Sequence, residues 1–121
     1  MTETAAVVLS VICLVMTGCL GVIFALNAEK GLDAAQHRLE MLPLIMSDRY
    51  IGTALLLLGV VVWGDKWLLT WFLAVVAAAG YIDAAIYGRK GHRYGKHLFA
   101  GVLYTVAAGL AYAAHIGAGV S

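Results

Sequence analysis

Residues 77–97 read AAAGYIDAAIYGRKGHRYGKH, and the way this stretch is read decides the fold. Asp83 is the only charged residue between Lys66 and Arg89. An apolar run of that length is what a helix needs to cross a bilayer, about 20 residues. Four cations close it: Arg89, Lys90, Arg93 and Lys96. A second apolar run then goes from Leu98 to Val120, interrupted only by His115. The pattern is a span, a basic connection and another span.

The same reading extends toward the N-terminus. Gly64-Asp65-Lys66 is a tight turn, with Trp63, Trp67 and Trp71 clustered around it as in an aromatic interface belt. Before the turn, Ile51–Trp63 is too short to cross unaided. Proline is favoured at the first helical position, so Pro43 marks an earlier start and extends the span to 44–63. That extension carries Asp48 and Arg49 into the helix. Ala5–Asn27 holds no charge at all and is the remaining span. It follows Met1-Thr2-Glu3-Thr4, which lacks the cationic start of a signal peptide, so a retained span is expected.

The expected spans are therefore about 5–27, 44–63, 67–87 and 98–120, within a single transmembrane domain over 1–121. Composition agrees. The chain is 63% hydrophobic and 12% charged, half the charge of an ordinary soluble domain at about 25%. That is too apolar for one soluble core. The longest connection, 28–43, repeats Leu32, Ala35, Leu39 and Leu42 at helical spacing between polar residues. This suits a short amphipathic helix on the membrane surface. The expected fold is an all-α integral membrane protein: an antiparallel four-helix transmembrane bundle with a short interfacial helix after the first span.

Several function classes drop out. A net charge of +1, with no basic patch interleaved with aromatics, points to no nucleic-acid partner. Cys13 and Cys19 lie six residues apart, about 9 Å along a helix and on opposite faces, so they do not pair. No metal-ligand spacing is present, and no metal or cofactor is expected.

Lys and Arg set the orientation. Lys30, Arg38 and Arg49 fall in or beside one connection, and Arg89, Lys90, Arg93 and Lys96 in another on the same side. Lys66 is alone opposite them. The basic connections are expected in the cytoplasm and both termini outside. The cations of 89–96 are most simply topology determinants, and they also suit anionic lipid head groups.

Asp83 lies six residues before Arg89, about 9 Å of helix below the cytoplasmic end. There it demands a partner. Antiparallel order brings Asn27, Asp48, Arg49, Asp83 and His97 to a similar depth, and Arg49–Asp83 is the expected contact. Gly80, Asp83 and Tyr87 share one face of the third span. His97, Gly101, Tyr104, Ala108, Ala111 and His115 follow one face of the fourth. Such stripes either line a pocket open to the cytoplasmic leaflet or simply pack helices together.

DRYIGTALLLLG at 48–59, YIDAAIYGRKG at 81–91 and KHLFAG at 96–101 together resemble the DoxX-like group of small four-helix bacterial membrane proteins, and in particular an uncharacterised DoxX-related family. That family has an arginine opening the second span, an Asp-Ala pair late in the third, a glycine-rich turn and a histidine opening the fourth. Arg49, Asp83-Ala84, Gly88 to Gly95, and His97 occupy these positions. The resemblance covers roughly residues 45–115. One departure is Tyr50, where the family commonly places an acid. The resemblance implies a four-helix fold in the bacterial inner (plasma) membrane, and for some members a membrane-subunit role in redox or sulfur metabolism.

Three functions follow as expectations. In the first, the protein is a small intramembrane enzyme or binding protein for a lipophilic small molecule, of isomerase or cyclase type. Asp83 and His97 form the acid–base pair, and Arg49, Tyr104, Asp48 and Asn27 contact the ligand. In the second, it is a non-catalytic membrane subunit that anchors or stabilises a partner protein, such as a redox enzyme, or associates with copies of itself. The third is a small dimeric transporter. It ranks last because Asp83 is far from the midplane that such carriers use.

Overall fold

The structure is a computed structural model that describes residues 2–118. These residues are helical, with no strand among them. The elements are α1 (Thr2–Leu26), α2 (Ala28–Ala34), a 3-10 turn (Leu39–Met41), α3 (Leu42–Trp63), α4 (Lys66–Arg89) and α5 (Gly95–Ala118). Four segments are long and apolar enough to cross a membrane: Val8–Leu26, Leu39–Trp63, Lys66–Arg89 and Gly95–Ala118. The chain divides into two compact units, Met1–Tyr50 and Ile51–Ser121.

In the first unit, α1 ends where Asn27 adopts an extended backbone and caps α2. Its side-chain oxygen accepts from the Lys30 amide at 2.9 Å, satisfying one of the donors that a helix start leaves open. α2 folds back so that Gly31 is buried beneath the Phe24 ring. The helix expected on the membrane surface is shorter than its apolar repeat predicts. The amide of His37 donates to Leu32 O at 2.8 Å, and that of Gln36 to Asp33 O at 3.0 Å. Gln36 is left-handed, with φ 54°. This is a Schellman termination. It stops the helix at Ala34, so Leu39 and Leu42 do not continue the face begun by Leu32. Pro43 is the second residue of α3, not the first.

The second unit is organised by the α4–α5 hairpin. Asp65 caps α4, its carboxylate accepting from the Trp67 and Leu68 amides at 2.8 and 3.0 Å. At the other end the amide of His92 donates to Tyr87 O at 2.9 Å and that of Gly91 to Gly88 O at 3.1 Å. Gly91 takes φ 73°, a conformation that glycine adopts without a Cβ clash. The chain reverses there, and α5 runs back antiparallel to α4. Trp67 meets His115 and Tyr112 at ring separations of 5.5 and 6.4 Å. Tyr81 meets Thr105, and Asp83 meets His97.

Small residues let these two helices approach. Ala77 and Ala84 on α4, and Gly101, Ala108 and Ala111 on α5, are buried. Leu73, Ala108 and Ala111 form the core, flanked by Leu57, Leu69, Tyr104 and Ala107. Large apolar side chains point the other way: Leu55, Val62, Ile82, Phe99, Leu103 and Leu110 are all exposed. Each leaves about 1.5–3 kcal/mol of burial energy unrealised in water. In hydrocarbon that loss disappears. Four helices long and apolar enough to cross a membrane, with many large apolar side chains exposed, suggest an integral membrane protein.

Candidate functional site

Asp83 lies near the end of α4 and His97 in the first turn of α5. His97 Nδ1 is 3.7 Å from Asp83 Oδ2. This is ion-pair range, slightly longer than a hydrogen bond. Their side chains are 30% and 50% exposed, respectively. Tyr87, one helical turn beyond Asp83, sets its ring 4.6 Å from the imidazole at an interplanar angle of 37°. His97 is thus held by a carboxylate at one edge and an aromatic ring alongside. It also lines an open groove of about 570 Å³ with Arg93, Tyr94, Gly95 and Lys96.

The crossing of the two helices explains why His97 reaches Asp83. Gly80 is one turn before Asp83. A Cβ placed on Gly80 would lie 2.9 Å from Gly101 N, 3.0 Å from Gly101 Cα and 3.2 Å from His97 O. No real side chain fits there. The missing Cβ draws the first turn of α5 against α4 and carries His97 with it.

A hydrogen-bonded chain closes the crossing from the side. The Thr105 hydroxyl donates to Gly101 O at 2.8 Å. A threonine hydroxyl has one proton, so at 2.9 Å the Tyr81 hydroxyl is the donor to Thr105 Oγ1. The Tyr81 ring lies over Gly101, whose hypothetical Cβ would come within 2.9 Å of it.

The other residues expected at the site are placed differently. Tyr104 is half-buried against the Leu73–Ala108–Ala111 core. It is seven residues from His97, about 10 Å along α5, so it belongs to the packing and not to the surroundings of the imidazole. Asn27 spends its side-chain oxygen on the cap of α2. Asp48 and Arg49 are exposed on α3, within the first unit. His115 is exposed and also stacks near Trp67. Among the described residues no cluster of His, Cys, Asp or Glu has the makings of a metal site.

Tyr87 and Tyr81 were not singled out from the sequence as site residues. Tyr87 carried a signal, its position four residues after Asp83 on one face. The Tyr81–Thr105 contact joins residues 24 apart, and no local spacing announces it.

Chemically, a carboxylate at one edge of an imidazole orients the ring and leaves the opposite nitrogen as the working edge. Comparison with known protein families, with characterised proteins and with solved structures finds no match.

Proposed function

We propose that the protein is a four-span membrane bundle of DoxX-like type, with both termini outside, that holds a lipophilic small molecule and moves a proton on it through Asp83 and His97. The observation that carries this reading is the 3.7 Å approach of His97 Nδ1 to Asp83 Oδ2, outside the packed core. The Gly80–Gly101 crossing and the Leu73 core hold the hairpin. The pair is therefore available for chemistry. Nδ1 faces the carboxylate, and Nε2 faces the ligand as proton acceptor or donor. Tyr87 fixes the ring plane. Isomerisation, cyclisation or hydration of an apolar substrate fits an acid–base pair that lacks a nucleophile.

The second reading is a non-catalytic subunit in which the same pair only finishes the hairpin. The tight Gly80–Gly101 contact, one turn away, favours it. Organic extraction of the protein purified in mild detergent, followed by mass spectrometry, separates the two. The first reading expects a small apolar molecule to come with the parent protein and to be lost from Asp83→Asn and His97→Gln, with melting temperatures close to the parent. Equal retention by all three proteins, or no molecule in any, sinks it.

A further inference from the structure

Neither Asp83 nor His97 lines a second groove of the hairpin. Tyr81, Ala84, Ala85, Gly88, Arg89, Tyr94 and Leu98 enclose an open volume of about 490 Å³. Ala84, Ala85 and Leu98 give it an apolar lining, and Arg89 is its cation. Tyr94 packs beside Gly88, within 3.4 Å of where a Cβ would sit, and also lines the neighbouring groove with Arg93 and Lys96.

The charge here is one-sided. Arg89, Lys90, Arg93 and Lys96 fall within eight residues, and no Asp or Glu occurs after Asp83. Tyr81 donates its hydroxyl proton to Thr105, and its ring forms part of the wall. An apolar trough ending in cations at the close of a membrane-length helix matches a molecule with an acyl chain and an anionic head.

From this we infer that the groove is a binding site for an anionic phospholipid of the surrounding leaflet. The phosphate sits between Arg89 and Arg93 with Tyr94 beside it. One acyl chain lies along Ala85, Ala84 and Leu98. Guanidinium groups suit phosphate because their planar donors pair with two oxygens at once. The inference rests on the membrane reading above and is independent of the chemistry assigned to Asp83 and His97.

The test begins with alkaline carbonate extraction of the full chain from membranes. Release into the supernatant overturns the membrane reading itself, and the lipid site with it. Protein retained in the pellet is then purified in zwitterionic detergent. Native mass spectrometry follows its titration with phosphatidylglycerol, phosphatidylethanolamine and phosphatidylcholine. The site predicts preferential retention of phosphatidylglycerol. In Arg89→Gln/Arg93→Gln, affinity for it falls about fivefold for each cation removed, roughly 30-fold for the pair. Five cations against one still hold the orientation in that variant. Lys30→Gln/Arg38→Gln removes as much charge elsewhere and leaves the preference intact. Ala85→Leu fills the trough without changing charge and weakens binding. Equal retention of the three lipids, an unchanged preference in Arg89→Gln/Arg93→Gln, an equal loss in Lys30→Gln/Arg38→Gln, or full binding by Ala85→Leu would each overturn the site.

Discussion

Gly80 and Gly101 meet backbone to backbone, so close that a Cβ on Gly80 would lie 2.9 Å from the Gly101 nitrogen. The contact sets the register of α5 on α4. It also decides that the first turn of α5 arrives beside Asp83.

Gly80→Ala has no room for its methyl group, and the obstruction is backbone that cannot rotate away. The helices must separate. The expected cost is about 1–3 kcal/mol, the range for overpacking a close contact. Thermal unfolding in detergent measures it. Gly101→Ala meets the Tyr81 ring instead, a partly exposed side chain that can swing aside. It should cost less than Gly80→Ala and break the Tyr81–Thr105 hydrogen bond. The opposite order of the two effects would show that the crossing is not as described.

Asp83 and His97 approach to 3.7 Å beside the crossing. A double-mutant cycle of Asp83→Asn and His97→Gln in detergent should return a non-zero coupling, and strictly additive effects would show that the two side chains do not interact. A coupling of about 3–5 kcal/mol would place the pair in a fully desolvated site and favour the scaffold role.

Topology is open to a direct assay. With Cys13 and Cys19 replaced, Lys66→Cys should react with an impermeant thiol reagent on intact cells, and Lys90→Cys only after permeabilisation. The reverse pattern would invert the orientation expected from the Lys and Arg distribution.

Much of the helical architecture is legible in the order of the residues. The apolar runs ending at Trp63 and beginning at Trp67 became α3 and α4, because the turn between them holds Asp65, which caps the second helix. Gly91 in the connection after α4 is where the chain reverses. The connection after the first span was less readable. Its leucines keep helical spacing beyond residue 34, but the backbone turns left-handed at Gln36. A hydrogen-bonded helix end takes precedence there over an apolar repeat.

The sequence by itself determined which segments are long and apolar enough to cross a membrane, and that His97 opens the helix following the one that carries Asp83. Both depend on composition and chain order, because hydrocarbon selects apolar length whatever the packing. Tertiary structure decided which faces meet. Rotation of α5 about its axis puts Tyr104 into the Leu73 core and His97 beside Asp83 and Tyr87. That rotation is set by how closely two glycines on different helices can approach, a steric fit between surfaces distant in the chain that no local spacing encodes.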